Sequence, residues 1–411
     1  QALQSDMPFS RIPSADENGH GTFLAGIAAG GENQAQNFMG AAPGANLIII
    51  RLKPAKKYLR ELFVIPEGPD IYQENDIMLA VRYALERSQR LFNIPLSICI
   101  GLGNGTGSHF GTSPLSQYLN EAGRKFRTSI CIAAGNEGNA RHHYQGITLP
   151  RNAPDIAELR VAEGESGFTM ELWGTSLTPY DITLQSPSGE SARITPSRFD
   201  SAQTIRFIFT KSVIYITTFP LESQSGNQVV VFRFLLPEPG IWRFLISTNS
   251  RTELFYNMWL PVRGLIKDDT YFLRASPYET ITSPGDSDAP ITVTAYDYRN
   301  DSLYLESSRG FSPSQLIKPE LSAPGVDIKG PLPGGRFTIR SGSSIAAAHT
   351  AGAVSLFLEW AVTQKNSPAI NGLGVKNASI RSARREAAED YPNREFGYGF
   401  LDLYNTFSSL F

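Results

Sequence analysis

A histidine, an asparagine and a serine lie in three separate segments rich in glycine and alanine. His20 stands between two glycines in Asn18-Gly19-His20-Gly21-Thr22, at the predicted start of a helix of small residues. Glycine on both sides permits close backbone approach, so the ring can be held at the surface of a sheet. A single histidine in such a place is more often structural, and its chemistry depends on what lies beside it.

Ser344 opens a second small-residue segment, Gly342–Gly352. A hydroxyl at the start of a helix lies near backbone N–H groups and the positive end of the helix dipole, which favours negative charge on its oxygen. Serine is also a common helix N-cap, so the position alone does not identify a nucleophile.

Asn136 follows a buried apolar run and stands between glycines in Ala134-Gly135-Asn136-Glu137-Gly138. From that position its side-chain amide can donate to a reacting carbonyl oxygen, a contribution of about 3 kcal/mol in oxyanion sites. A turn asparagine is the alternative interpretation. The three segments together supply a nucleophile, a base and an oxyanion donor.

The elements that must position these residues are alternating strands and helices. The pattern predicts strands at Ala45–Leu52, Ser97–Gly101 and Ser129–Ala134 and helices at Asn75–Asn93 and Ser113–Lys125. Such alternation indicates a parallel sheet with helices on its faces.

The pattern changes near Asp155. Short runs of period-two alternation, separated by turn clusters, predict a β-sandwich or jelly roll between Ile156 and about Pro290. The α/β pattern then resumes with a predicted strand at Pro290–Tyr296 and helices at Ser343–Val362 and Ala378–Ala388. We therefore divide the chain into an α/β domain (1–154 and 288–411) and an inserted all-β domain (155–287).

The composition excludes several classes of protein. The 411 residues are 41% hydrophobic and 18% charged with a net charge of −2, which is typical of a globular protein and predicts no nucleic-acid partner. No run of about 18 apolar residues predicts a membrane span. The two cysteines, Cys99 and Cys131, lie in strand-like runs and are predicted to be buried free thiols on neighbouring strands.

Read in order, the three segments resemble the His, oxyanion-Asn and Ser motifs of the subtilisin-like serine peptidases, or subtilases. Ala41–Ala45, Lys318–Gly325 and Gly397–Asp402 resemble further family segments in the same order. The resemblance implies a three-layer α/β domain and a protein or peptide substrate. It also implies roles for eight residues: His20 as general base, Ser344 as nucleophile, Asn136 as oxyanion donor, and Gly101, Leu102, Gly103, Ala134 and Gly135 as substrate-binding residues.

The all-β insert narrows the resemblance. Together with Tyr391–Gly399 it resembles the clostridial Csp subtilases, which carry a jelly-roll insert in this position. That resemblance implies activation of the precursor of a cortex-lytic hydrolase during spore germination, and a spore-associated or extracellular location.

The catalytic aspartate of the family is not visible. Asp6 and Asp16 lack the Asp-Thr/Ser-Gly context and are predicted to be loop residues. The functional aspartate is expected on an upstream strand, carried by an upstream segment or a cleaved propeptide. Ser343 and Ala348 replace the usual Thr and Pro of the serine motif. Gly101 stands where serine is common in the family, and the missing side chain is expected to alter the shape of a subsite.

Two alternatives remain open from the sequence. Because the aspartate is not visible, the chain is either a peptidase or a pseudoprotease that binds partners or signals. His142-His143 and Asp16-Glu17 suggest metal ligands, but adjacent histidines point in different directions and no loop has the pattern of a calcium site. We therefore predict no metal and no cofactor, although some subtilases bind structural calcium.

Overall fold

The computed structural model describes residues 15–149, 153–174, 178–196 and 202–409. The first α/β part contains four α-helices and two strands among these residues: α1 His20–Ala29, α2 Lys57–Phe63, α3 Glu74–Glu86, β1 Leu96–Ile100, α4 Pro114–Gly123 and β2 Thr128–Ala133. The predicted helices at 75–93 and 113–125 and strands at 97–101 and 129–134 are therefore confirmed.

The second α/β part follows the insert. Its elements are β14 Ile291–Asp297, β15 Ser302–Leu303, β16 Leu321–Pro324, the hairpin β17 Ile328–Leu332 and β18 Arg336–Arg340, and helices α5 Ser343–Leu358, α6 Gly372–Ser382 and α7 Leu403–Ser408. Strands β1, β2, β14 and β16 pair in parallel in that order, and the short β15 adds antiparallel to β14. The two halves of the chain thus build one parallel sheet, as predicted.

Helix α5 is the central helix of this domain. It packs across β1, β2 and β14 and is buried around most of its circumference, because alanine and glycine fill its first three turns. Residues Ser343–Thr363 are long and apolar enough to resemble a membrane span, but 72% of the most hydrophobic window is buried within the protein. Its hydropathy is accounted for by its place in the core.

The insert is a sandwich of two antiparallel sheets. Its strands are β3 His143–Thr148, β4 Asp155–Val161, β5 Gly167–Gly174, β6 Asp181–Gln185, β7 Ser191–Ile194, β8 Ala202–Arg206, β9 Val213–Phe219, β10 Gln228–Leu235, β11 Gly240–Ser247, β12 Leu254–Trp259 and β13 Tyr271–Phe272. One sheet has the order β3-β12-β5-β10-β9-β8 and the other β13-β4-β11-β6-β7. A single core, rich in Phe, Ile and Leu, lies between them, as the alternating pattern predicts.

The predicted strand at Ala45–Leu52 is wrong. These residues have no regular secondary structure, and the Leu47 and Ile49 side chains are 52% and 68% exposed. A strand exists only when a neighbour pairs with it, and no backbone hydrogen bond among the described residues joins 46–53 to a strand. The apolar side chains of the segment are therefore largely exposed in the described structure.

The predicted helix at Ala378–Ala388 is misplaced. Helix α6 begins after Asn371, whose side chain accepts a hydrogen bond from Gly374 N, and it ends at Ser382 because Ala383 is extended. The Asn371 cap allows the helix to begin at Gly372 in spite of two glycines in its first turn, and the predicted bounds do not include this turn.

The two cysteines lie as predicted. Cys99 of β1 is paired in register with Cys131 of β2, and both are free thiols. Burial raises the pKa of Cys99 to about 12 and that of Cys131 well above its ordinary value.

Candidate active site

The histidine is placed by the start of α1. Gly19 precedes it with φ +77°, a conformation that favours glycine, and a Cβ atom there would also lie 2.7 Å from Leu332. The Asp16 carboxylate accepts hydrogen bonds from Gly19 N, Thr22 N and Thr22 Oγ1 at 2.7–2.9 Å. The first turn of the helix is therefore fixed, and His20 with it.

The serine lies directly beside that histidine. Ser344 is in the first turn of α5, and its Oγ lies 3.1 Å from His20 Nε2. The two residues are 324 positions apart in the chain, so only the packing of α1 against α5 brings them together. A hydroxyl within hydrogen-bond distance of an imidazole nitrogen is the geometry of a nucleophile and its base.

The environment of His20 favours its neutral form. Burial lowers the pKa of His20 and the positive charge of Arg340 lowers it further, while the Asp16 carboxylate opposes both effects. A neutral imidazole can accept the serine proton, so the electrostatics agree with the role of a general base.

Asn136 is held in a single orientation. Its Oδ1 accepts a hydrogen bond from Ser343 N at 3.0 Å, so the other terminal atom of the amide must be the N–H₂ group. A Cβ atom on Gly342 would lie 3.5 Å from Asn136 Nδ2 and 3.7 Å from Ser344 Oγ, which places the amide and the hydroxyl around one point. The amide is thus a fixed donor beside the nucleophile.

The predicted substrate-binding residues form two walls next to this group. Gly101 and Leu102 follow the end of β1, with Gly103 exposed beyond them, and Ala134 and Gly135 follow the end of β2. A Cβ atom on Gly101 would overlap Leu24 and lie 3.2 Å from Ser344 Cβ. The space that a serine side chain would need at this position is therefore occupied by Leu24, rather than left open to the cleft.

Asp16 makes no hydrogen bond with the His20 imidazole in the described structure. Asp16 lies in a loop, as predicted, and its carboxylate accepts hydrogen bonds from the α1 backbone and from Thr22 Oγ1. Partial burial opposes the effect, but these hydrogen bonds lower the pKa of Asp16. Asp6 lies outside the described residues. Among the described residues, no carboxylate is hydrogen-bonded to His20.

The histidine pair suggested as metal ligands has other partners. His142 Nδ1 contacts Glu137 Oε2 at 2.7 Å, while His143 contacts Tyr278 O and Asn257 Oδ1. In the described ranges, no three His, Cys, Asp or Glu side chains are grouped so that they can hold a metal ion.

Sequence reasoning missed two residues beside the site. Thr282 and Ser308 fill the space next to Gly103 and Gly135. Thr282 follows the last strand of the sandwich and Ser308 lies after the insert. Both are more than 140 positions after the walls that they contact, and no motif marks them. The Thr282-Ser283-Pro284-Gly285 turn was the one available signal of a fixed loop.

Comparison with known proteins agrees with this geometry. Residues 4–158 and 273–399 match the Peptidase S8 or Subtilase family, and the chain therefore belongs to the subtilase family. The match skips most of the β-sandwich.

Individual relatives lie at about 30% identity. The membrane-bound transcription factor site-1 protease of Mus musculus is 32% identical over 139 residues, and its Homo sapiens counterpart is 31% identical over the same length. These matches cover 32% of this chain and only 13% of each relative. The structure of the Clostridium perfringens CspB protease is 29% identical, with a TM-score of 0.88, and covers 100% of this chain and 83% of that chain. The similarity to that protease therefore includes the sandwich.

Proposed function

We propose that the chain is the catalytic part of a serine endopeptidase of the subtilisin type. The observation that carries the proposal is the 3.1 Å contact between Ser344 Oγ and His20 Nε2, with the fixed amide of Asn136 beside it. Family membership supports the same reaction.

In the proposed mechanism Ser344 Oγ attacks the scissile carbonyl while His20 Nε2 takes its proton. The C=O electron pair moves onto oxygen, where the Asn136 amide and the Ser344 backbone N–H stabilise the charge. His20 then gives the proton to the leaving amine, and the C–N bond breaks to leave an acyl-serine. A water molecule, deprotonated by His20, hydrolyses that ester and restores the serine.

The aspartate of the triad is proposed to come from an upstream segment or cleaved propeptide. Two features support this. Strand β1 has β2 as its one paired neighbour among the described residues, and its first four residues are only half-buried. Residues 46–52 have no strand partner among the described residues, and Leu52 packs against the apolar cluster that includes Ile100 of β1.

An added strand in this position would cover Leu47 and Ile49 and reach the edge of the sheet near His20. A carboxylate at its end would fix the imidazole tautomer and stabilise the imidazolium.

We further propose that the insert (155–287), bounded by the α/β segments 1–154 and 288–411, is a jelly roll like that of the Csp subtilases. Strand β3, which precedes residue 155, pairs with β12 and so belongs to the same sandwich. On the Csp resemblance, the substrate is the precursor of a cortex-lytic hydrolase, cleaved during spore germination. Incubation of that precursor with the protein and with its Ser344→Ala variant tests this role directly.

The reaction itself is tested by fluorophosphonate labelling of the protein expressed with its upstream segment. We expect labelling that Ser344→Ala abolishes and that Ser341→Ala, an exposed hydroxyl three residues earlier, retains. Equal labelling of wild type and Ser344→Ala would disprove the assignment of the nucleophile. A folded protein that does not label at all would instead support the pseudoprotease.

A further inference from the structure

Three turns at one end of the sandwich are hydrogen-bonded into a single turn cluster. They are residues 186–190 between β6 and β7, 207–212 between β8 and β9, and 236–239 between β10 and β11. The Glu190 carboxylate accepts from Ile208 N and Phe209 N, at 2.8 and 3.0 Å. Glu238 N donates to Ser212 Oγ at 2.8 Å. The three turns are therefore held together as one surface.

The outermost part of this turn cluster is apolar. Ile208 and Phe209 are 86% and 78% exposed, and Leu236 of the neighbouring turn is 58% exposed. Phe207, next to them, packs against Trp242 of the sandwich core at a ring distance of 5.1 Å. The turn is thus anchored to the core, and its two apolar side chains are held outward in water. A rigid apolar patch of this kind marks an interaction surface.

The backbone of the 207–212 turn is suited to an apolar medium. Ile208 N and Phe209 N already donate to Glu190, and Phe207 N donates to Ser212 O. A protein partner could supply hydrogen bonds of its own, whereas lipid cannot, so a segment that enters lipid must pair its polar backbone groups internally. The internal pairing of these N–H groups favours a lipid partner.

The charges of the turn cluster are arranged by sign. Both carboxylates are turned to the protein, since Glu190 binds the backbone of the apolar pair and Glu238 accepts from Ser188 N and Oγ at 3.2 and 3.0 Å. Arg206 and Lys211 flank the apolar pair, are exposed, and form no ion pair with another described residue. Two outward cations around two apolar side chains complement an anionic lipid surface.

We propose that the turn cluster docks the protein on an anionic lipid surface. Ile208 and Phe209 insert at the level of the headgroups, and Arg206 and Lys211 contact the lipid phosphates. The association is peripheral and reversible, because two apolar side chains and two cations bind far more weakly than a membrane-spanning helix. The inference does not depend on the peptidase reaction, since the turn cluster contains none of the residues proposed for it.

Cosedimentation of the protein with vesicles tests the proposal. We expect binding to vesicles of equimolar phosphatidylcholine and phosphatidylglycerol, and little binding to phosphatidylcholine alone. Ile208→Ser combined with Phe209→Ser should weaken binding at least about tenfold, because two large apolar side chains no longer leave water. Arg206→Gln combined with Lys211→Gln should weaken it to a similar extent. Wild type in 1 M NaCl should also lose binding, because the Debye length there is only about 3 Å.

Leu221→Ser is the matched control. Leu221 is 55% exposed just beyond the other end of β9, in a connection (220–227) that contains Glu222 and no lysine or arginine. This variant also removes an exposed apolar side chain from the sandwich, and it should bind vesicles as wild type does. All three variants change only exposed side chains, so their midpoints of thermal unfolding should stay close to that of wild type.

Three outcomes would overturn the proposal. Wild type that does not bind the anionic vesicles contradicts it whether or not any variant folds. Equal losses in Leu221→Ser and in the Ile208→Ser, Phe209→Ser protein would mean that exposed apolar residues anywhere on the sandwich adsorb to lipid. If the latter protein binds vesicles as wild type does but converts a wild-type dimer to a monomer, the turn cluster is an interface between copies of the chain.

Discussion

At the residue scale, the side-chain amide of Asn136 has only its N–H₂ group left to bind a substrate. Its oxygen is occupied by Ser343 N, so the N–H₂ group is the part left to bind an oxyanion. We expect Asn136→Ala to lower kcat by about 10²–10³, the range known for such donors in subtilisins, with a much smaller change in KM.

Asn139 is a matched control for this prediction. It lies three positions further along the same loop, where its side chain contacts Arg263 rather than the site. Asn139→Ala should retain kcat to within a few fold. A similar loss in both variants would mean that the loop was disrupted, and it would argue against an oxyanion role for Asn136.

The pH dependence of the serine is a second residue-scale prediction. His20 must be neutral to act as a base, and burial together with Arg340 lowers its pKa. The rate of fluorophosphonate labelling, measured on the chain without an upstream segment, should therefore rise with pH. The midpoint of this rising limb of the pH profile should lie below about 6.5, the ordinary pKa of histidine.

Arg340→Gln removes the nearby positive charge, so the limb should move to higher pH. Arg336→Gln, at the far end of the same strand, should leave the limb in place. A limb that is centred above 6.5 in wild type, or one that does not move in Arg340→Gln, would contradict this description of the site.

At the scale of elements, the open edge beside β1 makes a prediction about backbone protection. Residues 46–52 have no strand partner in the described structure, so their amides should exchange with solvent rapidly in the chain alone. If an upstream strand pairs there, adding the upstream segment should slow exchange in 46–52 and in β1 but leave the β17–β18 hairpin unchanged. If adding the upstream segment leaves amide exchange in 46–52 and in β1 unchanged, this edge is not where the segment binds.

The same elements show what the sequence could and could not predict. The period-two and helical patterns correctly predict β1, β2, α3 and α4. Each of these elements packs against other elements of the α/β domain, so its apolar residues follow the period of a strand or a helix. The patterns fail at 45–52, which has no paired neighbour among the described residues, and at α6, where the Asn371 cap outweighs two glycines.

The candidate site divides in the same way. His20, Asn136 and Ser344 are recognisable because each stands in its own local motif. Thr282 is not, because its contacts with Gly103 and Gly135 form only after the chain leaves the last strand of the sandwich and reaches the edge of the α/β sheet. Local patterns therefore predict the reacting groups, whereas the shape of the pocket depends on tertiary contacts.

At the scale of the whole molecule, the sandwich supports the loop that follows β1 and Gly101–Gly103. Glu171 of β5 accepts hydrogen bonds from Gly107 N and Trp173 Nε1, both at 2.9 Å. Trp259 of β12 stacks between His109 of that loop and His143 of β3, at ring distances of 4.2 and 5.0 Å. The insert and the α/β domain thus share a buried aromatic junction.

The junction contains His143, whose protonation is disfavoured by its burial. Burial lowers the pKa of His143 to about 4, although hydrogen bonds with Asn257 and Tyr278 oppose the shift. Between pH 6.5 and 4 the unfolded chain binds a proton at this residue and the folded chain does not. The free energy of unfolding must therefore fall as pH falls through that window, and it is fully restored above it.

From pH 7.5 to pH 5, we expect His143 to account for a loss of about 2 kcal/mol in the free energy of unfolding. Urea unfolding of wild type and His143→Asn at both pH values measures it, because the variant lacks the titrating ring and its loss should be smaller by that amount. Comparing the losses removes any constant cost of the substitution. Equal losses in both proteins would show that the ring is already charged in the folded state, and the stacked junction would then be a cationic one.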